Sequence, residues 1–169
     1  MGTALRSMGL PNFLMTIPFS LPSTPDYLGI DDKRNYLFAL LQSNIKLMTC
    51  DIAHFGKCIV TVAMNCSNSL KSAQKNELEI PKSQRNKLRN QVIQLWSLFP
   101  AVCLSGPTDI VQSFPKLYNI LDGAMQDSAY PELAFPIITG LYNLGKKLQE
   151  KYGEQRIHDM QSLPEDVQT

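Results

Sequence analysis

The stretch Leu95-Trp96-Ser97-Leu98-Phe99-Pro100-Ala101-Val102-Cys103, followed by Pro107-Thr108-Asp109-Ile110-Val111-Gln112-Ser113-Phe114, decides how this chain folds. Leu88, Val92, Leu95, Trp96 and Phe99 recur at helical spacing and form one apolar face, and Pro100 is expected to end that helix. After a short loop, Thr108 or Asp109 is placed to cap a second helix. Its stripe is Ile110, Val111, Phe114, Leu117, Tyr118, Leu121 and Met125, which keeps the helical period despite Pro115. Two striped helices across a short loop make a helical hairpin.

The same periodicity extends outward in both directions. Pro11, Pro18, Pro22 and Pro25 restrict residues 1–30 to short helical turns, one of them Leu10 to Thr16 with Pro11 at its start. Asp31 or Asp32 is a suitable N-cap for a helix through Tyr36, Leu37, Leu40, Leu41, Ile45 and Leu47, with a break near Met48 to Asp51. Ile52, Phe55, Ile59, Val60, Ala63, Cys66 and Leu70 continue the pattern. The β-branched run Ile59 to Val62 leaves a buried strand over Cys58 to Met64 as the alternative. A loop is expected around Asn76 to Pro81. Downstream, Pro131 opens a helix through Ile137, Ile138, Leu141, Leu144, Leu148 and Tyr152, and Gly153 suits its end.

About six helices in antiparallel pairs, without alternating strands, predict an all-α architecture. Interior prolines at Pro115 and Pro136 fit a solenoid of bent helix pairs better than a straight bundle. The expected organisation is a proline-rich opening segment over 1–30, a helical-repeat domain over 31–152 and a polar acidic tail over 153–169. A chain of 169 residues, 44% of them apolar and 18% charged, is long enough to bury a core and too hydrophobic to be disordered. No apolar run is long enough for a signal peptide or a membrane span, so the chain reads as soluble and intracellular.

Little in the sequence carries chemistry. His54 and His158 lack metal-ligand partners at useful spacing, so a structural or solvent role is assigned to each, and no metal and no cofactor are expected. No nucleotide-binding, zinc-protease or serine-nucleophile motif occurs. Asp31, Asp32 and Asp109 are read as helix caps rather than acid–base groups. Cys50, Cys58, Cys66 and Cys103 have no paired spacing and are read as buried, reduced thiols. Trp96, Phe99, Phe114 and Tyr118 fall on apolar faces and are assigned to the core. An enzyme is therefore not expected.

Charge is unevenly distributed around a net +1. Residues 71–90 hold six cations against two carboxylates, a net +4, whereas 150–169 hold two against five, a net −3. Lys71, Lys75, Lys82, Arg85, Lys87 and Arg89 are the candidate RNA-binding residues. Lys82, Arg85 and Arg89 are spaced to line one helix face and could pair with phosphates, which supply affinity without sequence readout. The competing assignment is a solvated helix face, and the absence of interleaved aromatics argues against base stacking.

The hairpin resembles the nucleolar HEAT-repeat family of ribosomal RNA-processing protein twelve. The resemblance is carried by Trp96, Leu98, Pro100, Cys103, Pro107, Thr108, Asp109, Ser113 and Phe114, and upstream by Gly9 to Leu14, Ile17-Pro18 and Leu70-Lys71-Ser72-Ala73. Three residues separate Cys103 from Pro107, where the family usually has two. Trp96, Pro100, Cys103, Pro107, Asp109 and Phe114 are then signature core positions rather than a site. The resemblance implies a HEAT-like α-solenoid segment and a non-catalytic scaffold in small-subunit maturation and export, in the nucleolus and nucleus. Pre-ribosomal RNA and small-subunit assembly proteins would be its partners, with no membrane and no small-molecule substrate. Because members are several times longer, the chain reads as an interior slice or a shortened or truncated paralogue. The alternative is a purely protein-binding helical-repeat adaptor or a non-functional truncated paralogue.

Overall fold

Apolar residues three and four apart can be buried together only if helices lay these stripes against one another, and this is what the chain does. The computed structural model describes residues 2–16, 36–48, 50–75 and 81–161, the side chains of 73–75 and 154–161 apart. The caps expected at Asp31 or Asp32, the prolines from Pro18 to Pro25, the loop over 76–80, the side chains of Lys75 and His158, and residues 162–169 lie outside this description. The helical segments are α1 (Gly2–Thr16), α2 (Tyr36–Asn44), α3 (Ile52–Phe55), α4 (Thr61–Lys75), α5 (Lys82–Trp96), α6 (Phe99–Leu104), α7 (Ile110–Gln126) and α8 (Ala134–Gln161). Among the described residues there is no strand.

The segment α1 bends at Gly9, whose φ of 76° is open to glycine, and restarts ahead of Pro11 as the sequence predicts. Leu5, Leu10, Phe13 and Leu14 join it to the common core. The β-branched run resolves as helix: α3 passes through a π-turn at Gly56–Val60 into α4, and the Thr61 hydroxyl donates to the Gly56 carbonyl at 3.1 Å. This rod pairs with α5, forming the first helix pair. The helices α7 and α8 meet each other and complete the stack, α7 against α3 and α8 chiefly against α6, the short helix that follows α5.

Several expectations are corrected. Pro100 does not end a helix: α5 already stops at Trp96, and Pro100 lies in the first turn of α6, where a missing N–H costs nothing. The expected loop is therefore mostly a buried helix, with Leu98, Phe99, Val102 and Cys103 fully enclosed. Gly106, at φ 70°, turns the chain out of it. Only one side of the α7 stripe is core: Leu117 and Leu121 are buried, whereas Val111 is 79% exposed and Tyr118 55%, being rotated about 100° away. Pro136 lies in the first turn of α8 and is not interior, and that helix runs through Gly153 to Gln161. Ile138 and Tyr152 on it are exposed, leaving Ile137 and Leu144 as the buried members of its expected stripe.

The core centres on the hairpin. Phe55 meets Trp96 edge-on at 6.4 Å and Phe99 at 5.5 Å between ring centroids. The loop after α6 then clamps the first pair. The Asp109 carboxylate accepts from the Ile52 and Ala53 amides, each at 2.8 Å, and from the Ser113 hydroxyl at 2.6 Å. Thr108 donates to Asp51 at 3.1 Å, and the Cys50 amide donates to Ser105 at 3.3 Å. Asp109 thus stands at the start of α7 but caps α3, a helix more than fifty residues upstream.

All four cysteines are free; Cys50, Cys66 and Cys103 are buried and Cys58 is half-exposed. Burial pushes the Cys50 and Cys103 thiols up to about 12 and Cys66 to about 11. Ellman's reagent at about pH 8 is expected to react quickly with Cys58 alone and with the other three only on unfolding. A fast phase that survives in the Cys58→Ser variant would contradict this packing.

Candidate nucleic-acid interface

Helix α5 begins at Lys82 behind Pro81, with no side-chain cap and no acidic residue in its first turn. Its start is therefore positive through both the peptide dipoles and its side chains. Steps of three and four put Lys82, Arg85, Arg89, Val92 and Trp96 in one row along the helix, so the basic face runs into an apolar one.

The structure uses the five candidate cations whose side chains it describes differently. Lys82 and Arg85 are exposed and form no ion pair with a described residue. Lys87 is half-buried and engaged with a partner of its own. Arg89 is tied inward: one guanidinium nitrogen donates to both Glu132 carboxylate oxygens at 2.6 and 2.7 Å, another donates to the Ala129 carbonyl, and the group lies 5.4 Å from the Tyr130 ring centroid. The hydrogen bond from Arg89 holds the Glu132 carboxyl below its usual range. Lys71 is paired with Asp127 at 2.7 Å. Burial would raise the Asp127 carboxyl, but the bonds from Lys71 and from the Ala129 amide outweigh it and lower it. Lys71 and Arg89 thus fasten the α7–α8 turn to the first helix pair.

Sequence reasoning missed a cleft of about 310 Å³ on the same row. The α3–α4 rod and α7 touch where Asp109 caps α3, diverge, and are bridged again by Lys71 and Asp127. Val92, Trp96 and Leu133 line the cleft together with Ala63 on α4 and Gly123 and Ala124 on α7. The available signal was the run of small residues Gly123-Ala124 on α7, which spares space opposite Ala63.

Trp96, Cys103 and Pro107 of the signature set are buried, Phe114 packs against the core, Pro100 is partly exposed and Asp109 makes the cap described above. Among the described residues no cluster of three His, Cys, Asp or Glu side chains could hold a metal ion, and no helix is long and apolar enough to cross a membrane.

Stacked antiparallel helix pairs, fastened by interhelical caps and ion pairs, define a HEAT-type α-solenoid segment. The family described as ribosomal RNA-processing protein 12, HEAT repeats, matches residues 1–168, and the chain belongs to it. It is thereby a member of a ribosome-biogenesis family. Comparison with curated proteins and with solved structures found no match.

Proposed function

We propose that the chain is a non-catalytic helical scaffold for ribosomal RNA processing and for maturation and export of the small subunit. It acts in the nucleolus and nucleus by binding pre-ribosomal RNA and assembly proteins. The observation that carries the RNA contact is the uncapped basic start of α5, where Lys82 and Arg85 stand exposed without a described counter-ion. Such groups neutralise phosphates and release counter-ions.

The double variant Lys82→Glu, Arg85→Glu is expected to bind a single-stranded RNA oligonucleotide at least about tenfold more weakly at low salt. Losing two phosphate contacts should reduce the slope of log affinity against log salt by about 1.4. Unchanged affinity and slope would remove the RNA claim. Arg89 is excluded from the test because its replacement would break the link to Glu132.

A second reading, a purely protein-binding adaptor, is favoured by one observation. Val111 and Tyr118 on α7, and Phe135, Ile138 and Tyr142 on α8, are large apolar residues each more than half exposed. Loss of RNA binding in the charge-reversed variant would decide against that reading as the whole function.

A further inference from the structure

We propose that the cleft between α4 and α7 is a docking slot for an extended peptide segment of a partner protein. One apolar side chain of that segment enters the cleft, and its backbone amides pair with Asn68 and Asn119. The proposal shares with the scaffold reading only the premise that the chain works by binding; it does not use Lys82 or Arg85.

Space comes first. A Cβ placed on Gly123 meets nothing within 4 Å, so the cleft is open along the α7 wall. The floor is apolar and held in place: Trp96, 4% exposed, is fixed edge-on against Phe55. A cavity near 300 Å³ with such a lining accepts a leucine, isoleucine or phenylalanine side chain together with part of its backbone.

Polarity then selects the kind of guest. Asn68 on α4 and Asn119 on α7 are exposed members of the lining, and neither carboxamide has a hydrogen bond to a described residue. A carboxamide offers both a donor and an acceptor, which matches the N–H and C=O of a peptide unit. Among the described residues the charges near the cleft are matched: Lys71 with Asp127, and Arg89 with Glu132. A nucleic-acid phosphate entering the cleft would find no uncommitted cation among its described lining residues, whereas an uncharged peptide requires none. Charge complementarity therefore favours peptide over RNA.

Trp96 is the only tryptophan of the chain, so its emission reports the cleft directly. The full chain would be titrated with blocked, uncharged nine-residue peptides carrying leucine, isoleucine or phenylalanine at the centre. An alanine-centred peptide and an oligouridine serve as comparisons. At least one apolar-centred peptide is expected to shift Trp96 emission saturably below about 1 mM, with the alanine peptide at least tenfold weaker. Gly123→Leu, which fills the cleft from a position with room for a side chain, should abolish the response. Asn68→Ala with Asn119→Ala should weaken it about tenfold at unchanged helix content. No response to any apolar-centred peptide, or a full response in Gly123→Leu, overturns the proposal. So does a saturable response to oligouridine alone, which would assign the cleft to RNA. These outcomes are independent of the charge-reversal test, since Lys82 and Arg85 do not line the cleft.

Discussion

Replacing Phe99 by alanine lowers the unfolding free energy by about 3–5 kcal/mol, measured by urea denaturation with the slope unchanged. The ring is fully buried, packs on Phe55, and covers a stretch of α8 that carries no side chain, Gly140. A Cβ added at Gly140 would overlap the Phe99 ring. Gly140→Ala is therefore destabilising by about 1–3 kcal/mol, although alanine favours helix by about 1 kcal/mol in open surroundings. The two changes are coupled: in the double variant the new methyl enters space the ring has left. The double variant should lose less than the sum of the single losses, by about 1 kcal/mol. Strict additivity would show that α6 and α8 do not meet at this point.

Asp109→Ala is the second large effect, about 2 kcal/mol, because it strips the cap from α3 and leaves the buried Ile52 amide without its acceptor. Its pH dependence separates the cap from simple packing. Partial burial pulls the Asp109 carboxyl upward, but the bonds from Ser113, Ala53 and Ile52 together outweigh it, and it lies below its usual 3.8. A carboxyl lowered in the folded state contributes stability that is complete above its unfolded value and is lost as pH falls through its folded value. The stability gap between the native chain and Asp109→Ala should be constant above about pH 5 and narrow below 3.8. Thermal unfolding against pH measures it. A gap of the same size at pH 2–3 would mean that the charge on Asp109 is not what matters.

The helices were legible because burial of a stripe at three- and four-residue spacing is a local property. Leu88, Val92, Leu95 and Trp96 mark the buried face of α5 in sequence and are buried in the structure. The end of that helix was misread at Pro100, since a proline stops a helix only if it falls inside one, and a turn at Ser97 had already ended α5. Tyr118 and Ile138 were misplaced for a related reason. A stripe wider than its contact leaves some apolar residues facing out, and only the neighbouring helix decides which.

The basic candidates show the same division. Their spacing correctly gave a common row on α5, but Arg89 and Lys71 are committed to Glu132 and Asp127, residues forty-three and fifty-six positions away. No local pattern announces such partners, and none announces a cleft made by Ala63 and Gly123 facing across two helices.

By itself the sequence determined the all-α class, the apolar stripes from which the helices are built and the family, because hydrophobic period and signature residues are written within a few turns of chain. The tertiary structure alone decided that Asp109 caps a distant helix, which cations remain uncommitted, and where a cleft opens. Each of those depends on which side chain of another helix arrives opposite, a distance set by packing rather than by sequence separation.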